Sequence, residues 1–160
     1  MALSGNGIKV DLKGDKEIKR LLDTLPSRVI KKGMRAAQMK AARPMLASAK
    51  SRVAKRSGLL RRSLKIKQKT YASGKVITII GPDRGVSAAV SHPKGGTKPK
   101  TAIPANYSHL VEKGHSGKRP APPHRFLKPA YDENVAKGND AMRQTLLDTL
   151  YREADKLKGK

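Results

Sequence analysis

The chain contains no cysteine, no tryptophan and a single phenylalanine. Without cysteine, neither a disulfide nor a thiolate metal site can form, which favours synthesis in a reducing cytoplasm. No apolar run approaches the roughly 18 residues that cross a membrane, and the N-terminus lacks the apolar stretch of a signal peptide. We therefore expect an unexported protein without a membrane partner, whose core is built from Leu, Ile, Val, Met and Ala.

Acidic residues are also scarce. The chain has 12 Asp and Glu against 36 Lys and Arg, a formal net charge of +24, and no carboxylate lies between Asp23 and Asp83. The clustered carboxylates that hold catalytic metals are missing, which argues against an enzyme that acts on nucleic acid. Such a surface attracts polyanions, nucleic acid first among them. The alternatives are an acidic neighbouring protein and a basic face that is simply solvated.

The first half of the chain predicts one strand and two helices. Residues 8–12 alternate apolar and charged side chains, the period of a half-buried strand at a sheet edge. Helical spacing over residues 18–25 stops at Pro26, and Ser27 is expected to cap a long helix that runs to about residue 55. Pro44 should bend that helix, because a proline removes one backbone hydrogen bond.

The second half predicts a hairpin, a loop and a last helix. Two β-rich runs, residues 64–67 and 76–80, flank the turn residues 72–74. Residues 82–106 form a basic Pro/Gly-rich loop, followed by a helix from about Pro129. The predicted fold is a single α+β domain over residues 1–160. It has a small antiparallel sheet of three to four strands, packed against one long kinked helix and a C-terminal helix.

No catalytic, cofactor or metal site is predicted. His92, His109, His115 and His124 match no metal-ligand spacing. Glu112 could act as a general base, but a lone carboxylate in a basic chain more often forms an ion pair, within or between subunits, for which Arg61 and Arg62 are the candidates.

Three short motifs lie at the joints between these elements: SGLLRRSL (residues 57–64), YSHLVEKG (107–114) and PPHRFLKPA (122–130). Each combines turn-forming residues with apolar residues of the buried kind, and none pairs a nucleophile with a base. In this order they resemble the tail-completion or head-tail connector family of long-tailed bacteriophages, small neck proteins that join the tail tube to the filled head. The residues that carry the resemblance are Gly58, Leu60, Arg61, Tyr107, Val111, Glu112, Gly114, Pro122, Phe126, Leu127, Pro129 and Ala130.

The resemblance implies a non-enzymatic virion protein, made in the cytoplasm of the bacterial host. It further implies a ring of about six copies that joins the head-completion proteins to the tail terminator and surrounds the DNA channel. In such a ring, basic side chains that face the channel would contact phosphates of packaged double-stranded DNA without reading sequence. The first candidates are Lys94, Lys98, Lys100, Lys118 and Arg119, and the second set, on the long helix, is Arg28, Lys32 and Arg35.

Other residues are candidates for contacts between subunits or rings: Arg61, Arg62, Tyr107, Glu112, Phe126 and Leu127. For Phe126 and Leu127 there is a second interpretation, closure of the domain's own core, which the shortage of other aromatics favours. The functional alternative is a free, sequence-independent nucleic-acid-binding protein. Against it stand the few aromatics for base stacking and the lack of a recognisable nucleic-acid-binding motif.

Overall fold

The computed structural model describes residues 25–53, 58–90, 100–117 and 120–158, together with Lys19 and Asp23. Outside the described residues lie the predicted strand at 8–12, most of the predicted helix at 18–25, and four of the candidate DNA contacts. The described elements, in chain order, are helices α1 (Ser27–Arg52) and α2 (Leu59–Ser63), strands β1 (Leu64–Thr70), β2 (Val76–Pro82), β3 (Ala88–Val90) and β4 (Lys100–Ala102), and helices α3 (Pro104–Lys113) and α4 (Leu127–Lys158).

Helix α1 begins differently from the prediction. Pro26, not Ser27, occupies the N-cap position, and no side chain caps the helix. The Pro26 carbonyl accepts hydrogen bonds from the backbone N–H groups of Val29 and Ile30, at 2.9 and 3.3 Å. The fixed φ of proline, here −56°, places that carbonyl in position, so Ser27 is already helical and its predicted capping role is wrong. The assigned helix continues through Pro44 to Arg52, and the bend at Pro44 stays a prediction.

Helices α1 and α4 pack along each other through small residues. The buried positions of α1 are Gly33, Ala37, Ala41, Ala42 and Ala49. A Cβ at Gly33 would lie 3.3 Å from Leu146 Cδ1, so this turn of α1 touches α4 directly. The ion pairs Lys32–Glu153 and Arg52–Glu133 join the same two helices towards either end of the contact.

Strands β1 and β2 form the predicted antiparallel hairpin, with Ile66 opposite Ile80 and Gln68 opposite Thr78. A polar network ties the hairpin to α1. Thr78 Oγ1 donates to Gln38 Oε1 at 2.8 Å, and Gln38 Nε2 donates to the Val76 carbonyl at 3.1 Å. Gln68 Nε2 donates to the Arg35 carbonyl at 2.8 Å. The hairpin therefore lies across α1 in a fixed orientation.

Strands β3 and β4 form a second antiparallel pair, from Ala88 opposite Ala102 to Val90 opposite Lys100. The α+β class is thus confirmed, with the four described strands divided between two sheets of two strands each. Both strands of this pair lie within residues 82–106, where the sequence predicts only loop. Helix α3 begins at Pro104, so it also starts within residues 82–106, because proline suits the first position of a helix.

The described part of the core has two clusters. The first, which we call the joint cluster, lies where α2, α3 and the start of α4 meet the end of α1. The second, the helix-pair cluster, lies between the N-terminal half of α1 and the C-terminal half of α4. The joint cluster contains Ala49, Val53, Leu60, Leu64, Phe126 and Ala130. The helix-pair cluster contains Leu25, Ala37, Leu146 and Leu150.

Candidate functional site

The first candidate site is a cationic surface on the N-terminal half of α1. Arg28, Lys31, Lys32 and Arg35 recur at helical spacing, on the side away from the buried Gly33 and Ala37. Together with Ser27 and Thr70 they line a shallow depression of about 480 Å³. We call this set the α1 cationic surface. The hydrogen bond from Gln68 to the Arg35 carbonyl holds β1 against it, which brings Thr70 to its rim.

Most of the charge on this surface is not neutralised. Lys32 Nζ lies 3.1 Å from Glu153 Oε1, which also accepts from Lys156 at 3.1 Å. The hydrogen bonds from Lys32 and then Lys156 hold the pKa of the Glu153 carboxyl below its usual value. Within the described part of the chain, no carboxylate pairs with Arg28, Lys31 or Arg35. Because these cations are three or four residues apart on one helix, they repel one another, and a bound anion would relieve that repulsion.

A second row of lysines, on β1, differs from the first. Asp83 accepts hydrogen bonds from Lys67 Nζ at 2.8 Å and Lys65 Nζ at 3.0 Å. These two bonds, followed by one from the Gly85 N–H, hold the pKa of the Asp83 carboxyl far below its usual range. The third lysine of the row, Lys69, has its Nζ 4.8 Å from the centroid of the Tyr71 ring. One carboxylate therefore offsets part of the charge of this row.

The three sequence motifs meet in the joint cluster. Leu60 and Leu64 of the first motif pack with Phe126 and Ala130 of the third, all at most 6% exposed. Tyr107 and Val111 of the second motif pack against them and are half-buried. Burial raises the pKa of the Tyr107 hydroxyl. The interpretation of the motifs as structural joints is confirmed by these contacts.

Glu112 joins α3 to the start of α4. Its Oε2 accepts from the backbone N–H groups of Phe126 and Leu127, at 2.8 and 3.0 Å, and its Oε1 accepts from that of Lys128 at 3.1 Å. Partial burial alone would raise the pKa of this carboxyl, but the three N–H donors, with the Arg125 charge nearby, hold it below its usual value. The expected ion pair with Arg61 or Arg62 is absent among the described residues. The N–H groups at a helix start have no partner within the helix and take the carboxylate instead.

The remaining candidate interface residues differ in accessibility. Phe126 is fully buried in the joint cluster, so its interpretation as a core residue replaces the one as a subunit contact. Leu127 is half-buried. Arg61 and Arg62 are exposed in the last turn of α2 and remain accessible to a neighbour.

The first-choice DNA contacts receive no structural description. Lys94, Lys98, Lys118 and Arg119 lie outside the described residues, and Lys100 is described only as the first backbone position of β4. Among the histidines, His124 Nε2 lies 2.8 Å from the Arg52 carbonyl, linking the third motif to the end of α1. The described residues contain no group of three or more His, Asp or Glu arranged to hold a metal ion.

Three members of the α1 cationic surface are missing from the predicted set. Lys31 could have been included, because it stands three residues after Arg28 and four before Arg35. For Ser27 the sequence predicts a capping role instead. Nothing in the local sequence points to Thr70, which reaches the surface only because the hairpin crosses α1.

An apolar groove of about 550 Å³ lies between α1, β2 and α4, and we call it the β2 groove. Its walls are small or apolar side chains with two polar exceptions, Gln38 and Thr78. The lining residues are Gln38, Ala41, Ala42, Met45, Ala49, Val76, Ile77, Thr78, Ile80, Leu127, Ala130, Tyr131 and Met142.

Taken together, these features define a small α+β protein whose long helix carries a basic face with few carboxylate partners among the described residues. Residues 16–114 match the family model described as "Bacteriophage HK97-gp10, putative tail-component". The chain belongs to this HK97-gp10-like family of phage tail components, which confirms the phage tail and neck resemblance. The match spans the first two motifs, and the third lies beyond it. No curated protein and no solved structure matches the chain.

The family gives the chain a structural role in a bacteriophage virion and implies contacts with other phage proteins. Within the described residues, no helix combines the length and the apolar character needed to span a membrane.

Proposed function

We propose that the chain is a neck component that assembles as a ring of about six copies between the head-completion proteins and the tail terminator. The whole of residues 1–160 acts as one connector domain, with residues 82–106 inserted in it. Membership of a phage tail family supports this proposal, as does the use of all three motifs in one packed joint. The protein acts by binding its neighbours and holding them in position, without catalysis.

The observation that carries the DNA part of the proposal is the α1 cationic surface. Arg28, Lys31 and Arg35 have no carboxylate partner among the described residues, and a shallow depression lies beside them. Arginine and lysine contact phosphate oxygens without reading bases, which suits a channel through which DNA of any sequence must pass. In the ring, this surface faces the channel, together with Lys94, Lys98, Lys100, Lys118 and Arg119.

The subunit contacts are proposed around the joint cluster. Arg61 and Arg62 are exposed there, and Tyr107 and Leu127 keep part of their surface accessible. Glu112 supports this region indirectly by holding the start of α4. An acidic face on a neighbouring subunit or ring would complement the two arginines.

The test is the mass of the purified protein by light scattering, at about 0.1 and 0.5 M salt, with and without a short random-sequence duplex. A closed oligomer whose mass is the same at both salt concentrations supports the ring. A monomer that coats the duplex tightly at low salt and releases it at high salt contradicts the ring. It would support the free nucleic-acid-binding protein, for which the α1 cationic surface would serve equally well.

A further inference from the structure

The side of the β1–β2 hairpin that faces away from α1 is both charged and apolar. Gln68 and Thr78 turn their side chains towards α1, where they bond to the Arg35 carbonyl and to Gln38. Because side chains alternate along a strand, the odd-numbered residues lie on the other side, which we call the outer hairpin face. It carries a lysine row on β1 and, opposite the middle lysine, an isoleucine of β2: Lys65, Lys67, Lys69 and Ile79.

The outer hairpin face suits a protein partner better than a polyanion. Ile79 is 58% exposed, more than any other large hydrophobic side chain that the structure describes. Asp83 already offsets part of the charge of Lys65 and Lys67. Lys69 and the turn residue Lys75 are exposed, and no carboxylate among the described residues pairs with them. An exposed apolar side chain bordered by cations fits an acidic surface that has an apolar side chain of its own.

Helix α4 carries such a surface. Half of the 12 carboxylates of the chain lie on this helix. Three of them share one face with a glutamine and a tyrosine, because successive members are three or four residues apart. We call this face the α4 acidic stripe, and all its members are exposed: Asp140, Gln144, Asp148, Tyr151 and Asp155. Gln144 donates to Asp148 at 3.0 Å, and no Lys or Arg among the described residues pairs with the three aspartates.

We propose that the outer hairpin face of one copy binds the α4 acidic stripe of the next copy, with Ile79 beside Tyr151. The lysines of the hairpin then lie near Asp148 and Asp155. The dimensions agree, because the lysine row spans about 14 Å along β1 and the two aspartates lie about 10 Å apart along α4. The inference rests on the proposed assembly of several copies, and it adds a second contact to the one around the joint cluster.

The two surfaces lie on different sides of one chain, so they meet only between copies. Val76 and Ile80 of β2 share the β2 groove with Met142, which places the hairpin on another side of α4 from the stripe. Leu146 and Leu150, on a third side of α4, pack against α1. A contact between two different surfaces is heterologous, and its repetition around an axis closes a ring.

Charge reversal tests the contact at residues that have no ionic partner among the described residues. Lys69→Glu with Lys75→Glu, or Asp148→Lys with Asp155→Lys, should raise the concentration at which half of the oligomer dissociates by about tenfold or more. The variant with all four substitutions keeps the net charge at +24 and should return to within about threefold of the natural protein. Light scattering over a dilution series measures these concentrations.

The matched control removes the same charge elsewhere. Lys40→Glu with Arg43→Glu changes two exposed cations of α1 that belong to neither surface, and it should leave the dissociation within about threefold of the natural protein. An oligomer that resists both reversals, or that the fourfold variant fails to restore, contradicts this contact and leaves the ring standing. A natural protein that stays monomeric at every concentration contradicts the ring and this contact together.

A disulfide experiment covers any reversal variant that does not fold, since the natural chain has no cysteine. Ile79→Cys and Tyr151→Cys are prepared as separate proteins, and disulfide-linked dimers should form under mild oxidation mainly when the two are mixed. The control mixture pairs Ile79→Cys with Ala136→Cys, an exposed position about 22 Å along α4 from Tyr151. Equal dimer yields from the two mixtures would overturn the proposal.

Discussion

At the scale of single residues, Glu112 shows how a rare carboxylate is placed in a strongly basic chain. Cations are abundant around it, yet its oxygens accept from the backbone N–H groups of Phe126, Leu127 and Lys128. An ion pair at the surface contributes little, whereas N–H groups at the start of a helix cannot find partners within the helix. The carboxylate thus fixes where α4 begins, and with it the position of Phe126 in the joint cluster.

Replacing this carboxylate should destabilise the fold. Glu112→Ala leaves three backbone donors without their acceptor, and we expect a loss of about 1 to 3 kcal/mol in the free energy of unfolding. Urea unfolding measures the loss. The matched control is Asp132→Asn, which removes an exposed carboxylate paired with Lys128 on the same helix and should change stability by less than about 0.5 kcal/mol. Equal effects of the two substitutions would contradict the capping role.

The depressed pKa of Glu112 predicts how that contribution varies with pH. A carboxyl whose pKa is lower in the folded than in the unfolded protein stabilises the fold fully above the unfolded value, here an ordinary 4.5. The contribution is lost as the pH falls through the folded pKa. The stability difference between the natural protein and Glu112→Gln should therefore be largest near neutral pH and smaller at about pH 3. Urea unfolding at several pH values checks this, and a difference that grows on acidification would contradict it.

Gly114, which ends α3, is the second residue on which the joint depends. Its φ is +73°, and a Cβ there would lie 2.8 Å from both the Ala121 carbonyl oxygen and the Pro123 nitrogen. Gly114→Ala should therefore cost about 1 to 3 kcal/mol, from the left-handed backbone and the contact together. Gly117→Ala, where a Cβ meets nothing within 4 Å, is the control and should be nearly neutral. Thermal unfolding of the two variants separates them.

At the scale of elements, the α1–α4 contact depends on the absence of side-chain volume. Gly33 and Ala37 let the backbone of α1 approach Leu146 and Leu150 closely. Because protein interiors are close-packed, the contact has little room for additional side-chain atoms. Larger side chains must move the helices apart or adopt strained rotamers.

Gly33→Leu tests this packing. The Cβ of the new side chain would lie 3.3 Å from Leu146 Cδ1, and the atoms beyond it have no room. We therefore expect a loss of about 1 to 3 kcal/mol in the free energy of unfolding. The matched control is Ala36→Leu, a leucine on the exposed side of the same helix, which should stay within about 0.5 kcal/mol of the natural protein. Urea unfolding of both proteins provides the comparison. A stable Gly33→Leu protein would mean that the helix pair can separate freely.

At the scale of the whole molecule, the net charge of +24 predicts salt-dependent binding to any duplex. The net charge alone does not identify which basic residues make the contacts. The affinity for DNA falls as salt rises, and the slope of log association constant against log salt concentration is negative. If the α1 cationic surface contacts phosphates, replacing Arg28, Lys31 and Arg35 by glutamine should reduce the magnitude of this slope by about 2 to 3. Fluorescence anisotropy with a random-sequence duplex measures the slope.

The control removes the same three charges elsewhere. Arg84, Lys137 and Arg152 are exposed and lie outside the α1 cationic surface. Their replacement by glutamine should leave most of the slope unchanged. If the two triple variants lose affinity and slope equally, the binding depends on net charge alone, and the assignment to α1 is wrong.

Periodicity and turn chemistry predicted the long helix, the hairpin and the α+β class, because these depend on residues close in sequence. Prediction failed where distant residues decide the outcome. The backbone N–H groups that donate to Glu112 lie at least fourteen residues further along the chain, so nothing near it in sequence distinguishes a helix cap from an ion pair. Thr70 joins the cationic surface only through the crossing of β1 over α1. Three-residue strands such as β3 are too short for alternation to be visible.

Asp83 changes the charge that the hairpin presents to solvent. One carboxylate accepts hydrogen bonds from both Lys65 and Lys67, so it offsets part of the positive charge of the hairpin. Arg28, Lys31 and Arg35 have no carboxylate partner among the described residues. Copies repeated around an axis would carry these three cations at one level of the assembly, as a belt of positive charge.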